Sequence, residues 1–179
     1  TIDTTYDVAN GADYMDAALD AMCAQAERAV KDGYNIIILS DRAVSAERAP
    51  IPALLACSAT HHHLIRKGLR TSVGLVVESG EPREVHQFAT LAGYGAEAIN
   101  PYLAFETLEA MLPTLDEKVS AYEAVKRFIK AINKGLLKIL SKMGISTIAS
   151  YRGAQLFEAI GLSREVVDLC FHDVASRIG

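Results

Sequence analysis

The stretch of the sequence that decides the fold spans residues 33–101. It contains the segments GYNIIILSDR (33–42), IPALLACSATHHHLIRKGLR (51–70), TSVGLVVESGEPREVHQFATLAGYG (71–95) and AEAINP (96–101). Apolar runs of strand length alternate here with segments of helical periodicity, which is typical of β-α-β-α-β units and of a parallel sheet. The sequence therefore predicts an α/β fold, a three-layer sandwich in which helices flank a short, mostly parallel sheet.

The predicted strands end in polar residues. Residues 36–39 are apolar at every position, which is typical of a strand that is buried on both faces because helices cover a parallel sheet from both sides. Polar side chains follow the apolar runs at residues 40–42, at Glu78 and Ser79, and at Asn100. These positions are the predicted carboxyl ends of the strands, where open α/β sheets keep their ligand sites.

Length and composition favour one folded domain. The chain has 179 residues, of which 50% are hydrophobic and 22% charged, enough for one sizeable core and unlike a disordered chain. We expect a single α/β domain over residues 1–179, with a β/α core in residues 1–112 and a helical extension in residues 119–179. The extension is predicted to contain a short strand at residues 145–150 and then a short helix around Leu156, Phe157 and Ile160.

Charge and hydropathy exclude several classes of protein. The net charge of −4 argues against a general nucleic-acid or membrane-surface binder. No apolar run approaches the roughly 20 residues of a membrane span, and no signal peptide is visible. Cys23, Cys57 and Cys170 are far apart, which predicts reduced core residues in a cytosolic protein. Because the chain begins at Thr1 without Met, we expect a piece of a longer polypeptide.

The polar strand ends contain the candidate site residues. Asp41 and Arg42 follow one predicted strand, and two interpretations stay open: they orient a polar ligand, or they form an ion pair that pins the loop. Glu78, Ser79 and His86 follow the neighbouring strand and are expected to share the same crevice. His86 with Glu78 is a candidate acid/base pair.

Other motifs supply no catalytic or cofactor site. His61, His62 and His63 are consecutive, and adjacent helix residues point about 100° apart, so the three cannot converge on one metal ion. No GxGxxG or GxxxxGKS/T motif follows a predicted strand, and Gly93 and Gly95 end a helix instead of opening one. No GxSxG motif is present. The sequence predicts a Rossmann-like fold without a phosphate loop, and no metal or cofactor in this chain.

A long helix is predicted over residues 119–141. Lysines four residues apart form a row on one of its faces: Lys126, Lys130, Lys134 and Lys138. Such a row is typical of a solvated surface. The alternative is a contact with an acidic partner.

Three long phrases carry a resemblance to a known family. They are LSDR (39–42), the run from IPALL to FETL (51–108) and KGLLKILSKMGISTIASYRGAQLFEAIGL (134–162). With their polar residues and glycines in place, they closely resemble the central domain of the large subunit of glutamate synthases, over residues 4–178. The resemblance implies an enzyme that makes two L-glutamates from L-glutamine, 2-oxoglutarate and a reductant, and that serves ammonia assimilation.

The resemblance also implies where the chemistry of such an enzyme lies. A glutaminase domain uses an N-terminal cysteine nucleophile, and a synthase domain is an FMN-binding barrel with a 3Fe-4S cluster. The central domain links the two and helps enclose the tunnel that carries ammonia. This chain begins with Thr1 and contains neither the barrel nor the cluster cysteines nor a C-terminal β-helix. No catalytic or cofactor residue of the family therefore carries over to this chain, and FMN and the cluster are expected only in the parent enzyme.

Two hypotheses follow for the function. In the first, the chain is an interdomain scaffold without its own catalytic centre, and its partners are the glutaminase domain and the FMN barrel. Lys142, Tyr151 and Arg152 are the candidate interdomain contacts, and Arg152 is expected to dock on a neighbouring domain. In the second, a stand-alone α/β domain binds a small anionic metabolite at the strand ends. The expected location is the cytoplasm, or the plastid stroma in a plant or alga; the electron donor stays open.

Overall fold

The computed structural model describes residues 1–11, 13–114 and 118–177. The strands are β1 (Ile2–Asp3), β2 (Thr5–Asp7), β3 (Ile36–Ser40), β4 (Arg48–Pro50), β5 (Gly74–Glu78) and β6 (Ala98–Asn100). The helices are α1 (Tyr14–Lys31), α2 (Ala53–Arg66), α3 (Val85–Gly93), α4 (Tyr102–Met111), α5 (Ala121–Lys142), α6 (Ile148–Tyr151) and α7 (Arg164–Cys170). Residues 115–117, between α4 and α5, lie outside the described residues.

The main sheet has four parallel strands in the order β1-β3-β5-β6. The α/β class and the parallel sheet with flanking helices are therefore confirmed. The chain advances by one strand at a time, with α1, α2 and α3 in the connections between main-sheet strands. Since crossovers between parallel strands are right-handed, these helices return on the same side of the sheet. This is the arrangement of consecutive β/α units in a barrel.

The core lies on one face of the main sheet. That face contributes Ile2, Ile37, Leu39, Leu75 and Val77, all of which are buried. Helices α1, α2 and α3 cover it with small and medium-sized side chains: Leu19, Met22, Cys23, Ala26, Ala53, Ala56, Cys57, Ala59, Leu64 and Leu91. One continuous core thus joins the sheet to three helices.

The opposite face of the main sheet is much less covered. Ile36 is 59% exposed, and Ile38 and Val76 are only half-buried. The expectation that residues 36–39 are buried on both faces is wrong for Ile36. The reason is that burial of the second face would require helices on that side, whereas the connecting helices α1, α2 and α3 pack on the first.

A small antiparallel pair, β2 with β4, was not predicted. It pairs Thr5 with Pro50 and Asp7 with Arg48. Pro50 makes the strand hard to predict from the sequence. Proline lacks a backbone N–H donor, so it is tolerated in a strand only where no partner requires that donor, as on an edge. The Arg48 guanidinium reinforces the pair by donating to Thr5 Oγ1 at 2.7 Å and to Asp3 Oδ2 at 2.8 Å.

The predicted strand at residues 145–150 is absent. Ile148–Tyr151 forms the short helix α6 instead. The β-prone pattern has no strand to pair with, and the buried Tyr151 side chain holds the turn by donating to the Ala89 carbonyl at 3.0 Å. The predicted helix around Leu156 and Ile160 is also absent, and the nearby Ala159 forms an isolated parallel bridge with Ser176.

Helix α5 packs against α3 and α4. Phe128 of α5 contacts Phe88 of α3 and Phe105 of α4, with ring centroids 6.1 and 6.0 Å apart. Gly135 lets the helix backbones approach closely, because a Cβ placed there would lie 2.5 Å from Val85 Cγ2. The packing of α5 therefore depends on a residue without a side chain at position 135.

We predict that Gly135→Ala destabilises the domain by about 1–3 kcal/mol, the usual cost of overpacking. The direction of the change in stability is informative, because an exposed Gly→Ala change inside a helix normally stabilises by up to about 1 kcal/mol. The β-branched Val85 side chain cannot move aside easily. Chemical denaturation measures the effect, with the exposed Lys134→Ala as control. Equal or higher stability of Gly135→Ala would show that α3 and α5 can separate at no cost.

Candidate functional site

The carboxyl ends of the four parallel strands form one row of polar residues. The register aligns Asp3 with Ser40, Ser40 with Glu78, and Glu78 with Asn100. Each is the last residue of its strand, and because residues in register on neighbouring strands share a face, the four side chains point to the same face of the sheet. The structure thus gathers at one edge the residues that the sequence places at separate strand ends.

We call the hydrogen-bonded group at this edge the edge cluster: Ser40, Asp41, Arg42, Glu78, Ser79, Asn100 and Tyr102. Glu78 is the centre of its first half. Its carboxylate accepts hydrogen bonds from Ser40 Oγ at 2.7 Å, Arg42 Nε at 2.9 Å and Asn100 Nδ2 at 3.1 Å. Arg42, followed by Ser40, holds the pKa of the Glu78 carboxyl below its usual range. Both oxygens are therefore engaged, and the group stays ionised at neutral pH.

Asp41 is the centre of the second half. It is 5% exposed and accepts from Ser79 Oγ at 2.5 Å, from the Gly80 backbone N–H at 3.1 Å and from the Tyr102 hydroxyl at 2.8 Å. Burial, together with the Asp41 carboxylate, raises the pKa of Tyr102 to about 12. The Arg42 guanidinium lies over the Tyr102 ring, 4.2 Å from its centroid, and joins the two halves.

The structure brings together four of the five predicted crevice residues: Asp41, Arg42, Glu78 and Ser79. His86 is not with them. It lies on the first turn of α3, exposed, with its ring edge-on to Phe157 at 5.7 Å. The hydrogen-bonding partners of Glu78 are Ser40, Arg42 and Asn100, so the proposed His86–Glu78 pair is not formed.

Sequence reasoning missed three members of the edge cluster as site residues. Ser40 and Asn100 were visible as strand ends, and their position alone would have sufficed to include them. Tyr102 gave no such signal, because only the fold brings the first residue of α4 over the loop after β3. Once these residues are included, the cluster is a closed network of hydrogen bonds with no activated nucleophile.

The three consecutive histidines point to three different partners. His61 Nδ1 accepts from Arg70 Nε at 2.9 Å, and His62 Nδ1 lies 2.9 Å from the Ser58 carbonyl. His63 Nε2 lies 2.9 Å from Glu27 Oε2 on α1. Within the described ranges, no three His, Cys, Asp or Glu side chains are placed to hold a metal ion.

Burial, with Arg70 as the next cause, lowers the pKa of His61 from 6.5 to about 4. His61 is therefore neutral at physiological pH, and its Nδ1 is free to accept from Arg70. The ring also occupies the space beside Gly95, which has a φ of +117° and where any Cβ would collide with it. His61 thus works as a packed hydrogen-bond acceptor.

The three candidate interdomain residues differ in environment. Tyr151 is 1% exposed and belongs to a cluster with Ala92 and Leu140, so its side chain serves the interior of this domain. Lys142 ends α5 and is exposed. Arg152 is partly exposed and forms an ion pair with Glu97, Nη1 to Oε1, at 3.0 Å. Only Lys142 and Arg152 present side chains at the surface.

Solved structures with a similar fold define the class of this domain. It superposes on a mutant flavocytochrome b2 with benzoylformate at a TM-score of 0.58, with 15% identity over 74% of this chain and 31% of that chain. A second mutant flavocytochrome b2 with pyruvate bound gives 0.56 and 16% identity, over 74% and 32% of the two chains. At this identity the likeness concerns the fold alone, which is a set of consecutive β/α units.

The sequence comparisons identify the family. The model of the glutamate synthase central domain matches residues 1–163, and the chain belongs to that family. The Bacillus subtilis (strain 168) glutamate synthase [NADPH] large chain is 53% identical over 165 residues, 92% of this chain and 11% of that protein. The Schizosaccharomyces pombe glutamate synthase [NADH] is 48% identical over 99% of this chain and 8% of its own length.

A relative from a plant is also similar to this chain. The chloroplastic ferredoxin-dependent glutamate synthase of Oryza sativa subsp. japonica is 45% identical over 99% of this chain and 12% of that protein. The chain thus spans about a tenth of the length of these relatives. In the part of the chain that the structure describes, no helix is long and apolar enough to cross a bilayer.

We predict that the domain loses stability on acidification between pH 6.5 and 4, and that His61→Gln reduces this loss. The unfolded chain binds a proton at His61 near pH 6.5, whereas the folded chain does so only near pH 4, so acid favours unfolding in this window. Glutamine keeps an acceptor for Arg70. Urea denaturation at several pH values measures the slope of stability against pH. The same slope in the variant and the wild type would rule out a neutral, buried His61.

Proposed function

We propose that this chain is the central, interdomain scaffold of a glutamate synthase, the enzyme that converts L-glutamine, 2-oxoglutarate and a reductant into two L-glutamates. In this proposal the chain has no catalytic centre of its own. It fixes the glutaminase domain relative to the FMN barrel and helps enclose the path of ammonia between them.

The observation that carries the proposal is the closed edge cluster. A catalytic carboxylate must reach a substrate proton, but Glu78 is engaged by Ser40, Arg42 and Asn100, and Asp41 by Ser79, Gly80 and Tyr102. The cluster ties the loops after β3 and β5 to the start of α4. This is the arrangement expected of a rigid support.

The cysteines give the same indication. Cys23, Cys57 and Cys170 are free and buried. Burial raises the pKa of Cys57 to about 12 and that of Cys23 to about 11, and a thiol with a raised pKa is a poor nucleophile. None of the three is therefore suited to glutamine hydrolysis.

FMN and a 3Fe-4S cluster belong, in this proposal, to other parts of the parent enzyme. The relatives are named for NADPH, NADH and ferredoxin, yet they share 42–53% identity with this chain. That similarity supports a role that is independent of the electron donor. We place the enzyme in the cytoplasm, or in the plastid stroma if the source is a plant or alga.

A second candidate function is the binding of a small anionic metabolite at the strand ends. One observation favours it: the Arg42 side chain is 49% exposed, so its guanidinium is open to an anion in solution. Against it, Arg42 is already paired with Glu78 at 2.9 Å and with Glu106 at 3.5 Å. A ligand anion would have to compete with two carboxylates.

We predict that Glu78→Gln and Asp41→Asn, made in the complete glutamate synthase, change the glutaminase and glutamate-forming kcat per folded enzyme by less than about threefold. Loss of a general acid or base would instead cost about 10²–10⁴. The two rates are measured separately, with thermal unfolding alongside and the exposed Glu109→Gln as control.

The scaffold proposal also expects any effect of these variants to appear in the ratio of the two rates and in stability. A fall of 100-fold or more in one kcat, with unchanged unfolding temperature, would refute it. A rise in KM for an anionic substrate alone would favour the second candidate.

A further inference from the structure

A second polar cleft lies at the amino ends of β5 and β6, across the sheet from the edge cluster. It has a volume of about 510 Å³, and its lining includes Arg70, Gly74, Glu97, Ala149 and Arg152. Arg70 precedes β5, Glu97 precedes β6, and Arg152 follows α6. We call it the Arg152 cleft.

In one of its two arginines, all three guanidinium nitrogens donate hydrogen bonds within the domain. Arg70 is 11% exposed at its side chain. It donates to His61 Nδ1 at 2.9 Å, to the Val73 carbonyl at 2.7 Å, to the Gly95 carbonyl at 2.8 Å and to Glu97 Oε1 at 3.1 Å. Arg70 is therefore a structural residue that holds the β5 and β6 entries together.

The other arginine is not satisfied. Arg152 Nη1 lies 3.0 Å from Glu97 Oε1, the oxygen that Arg70 already uses. Arg152 Nε is buried and has no hydrogen-bond acceptor among the described residues. A guanidinium has five N–H donors, and a buried charged donor without a partner costs free energy. The fold thus keeps a cation here whose hydrogen bonding is incomplete.

The charge balance of the cleft is positive. Arg70 and Arg152 together outnumber the single carboxylate of Glu97, and His61 adds no negative charge. Burial, Arg70 and, to a smaller extent, Arg152 lower the pKa of His61 to about 4, so the ring is neutral at physiological pH. The complementary group is an oxyanion that can accept two parallel N–H donors, which a carboxylate does.

Two exposed apolar residues are neighbours of residues that line the cleft, one across the sheet and one along the chain. Ile36 is 59% exposed and is the strand partner of Gly74, which lines the cleft. Ile148 is 47% exposed and precedes Ala149. An arginine with exposed apolar residues in neighbouring positions is the composition of a protein–protein contact, whereas a site for a free anion needs no apolar neighbours.

We propose that the Arg152 cleft docks an aspartate or glutamate side chain carried by another domain of the same glutamate synthase subunit, with Ile36 and Ile148 covered by apolar residues beside it. The inference rests on the proposed scaffold function. It deepens that function by naming the surface and the chemistry of the partner. The location agrees, since the amino ends of strands serve stability and not chemistry in β/α folds.

The test uses photo-crosslinking in the complete glutamate synthase. A benzophenone amino acid replaces Ala149, which is exposed and lines the cleft. We expect a crosslink to a peptide outside the segment matched by this chain, with Asp or Glu within a few residues. Combining it with Arg152→Gln should lower the crosslink yield at least about fivefold, which corresponds to about 1 kcal/mol. The exposed Arg83→Gln serves as the matched control and should leave the yield unchanged.

A second variant distinguishes a loss of docking from simple misfolding. Glu97→Gln removes the internal carboxylate that competes for Arg152, so the crosslink yield should equal or exceed that of the wild type. A yield as low as in Arg152→Gln would overturn the proposal, as would crosslinks confined to this domain. If 2-oxoglutarate or inorganic phosphate abolishes the crosslink while ionic-strength-matched chloride does not, the site takes a free anion and the proposal also fails.

The crosslink does not depend on catalysis, so the two proposals can fail separately. A crosslink that requires Arg152, with an unchanged ratio of glutaminase to glutamate-forming rate in Arg152→Gln, would retain the docking surface and reject its role in coupling. An altered ratio without any crosslink to another domain would do the reverse.

Discussion

The parallel pairing of β3 with β5 is the constraint on which the rest of the domain depends. Its register joins Ile36 to Gly74 at one end and Ser40 to Glu78 at the other, and the ladder continues with the Asp41 N–H donating to the Glu78 carbonyl at 3.2 Å. Because these two strands are central, their ends position both polar regions. A slip of the register would separate the carboxylates from Arg42 and turn the core residues to the open face.

Much of this architecture could be predicted because its signals are local. Apolar strand segments and the helical periodicity between them depend on neighbouring residues, and the structure confirms the resulting alternation of strands and helices. Exposure of Ile36 depends instead on which side the helices return, a property of the whole topology. The turn at Ile148–Tyr151 depends on the absence of a strand partner and on the anchoring of Tyr151 under α3.

The candidate site was predictable to the same extent. Strand ends identify Asp41, Arg42, Glu78 and Ser79 because parallel strands share one carboxyl edge. His86 was misplaced because it does not follow β5 directly but lies on the first turn of α3, where its ring contacts Phe157. Arg70 and Arg152 both form an ion pair with Glu97. The three residues come from distant segments, and no sequence pattern predicts their contact.

The order of the strands has a consequence for biosynthesis. Since β1, β3, β5 and β6 stand in the sheet as they occur in the chain, each β/α unit can add to the edge left by the unit before it while the polypeptide leaves the ribosome. Within the main sheet no strand has to wait for a distant segment, because each strand pairs with the main-sheet strand that precedes it in the chain. Until the next unit arrives, the growing edge strand exposes unpaired N–H and C=O groups. The speed of translation through residues 36–100 therefore sets how long that edge remains open to the wrong partner.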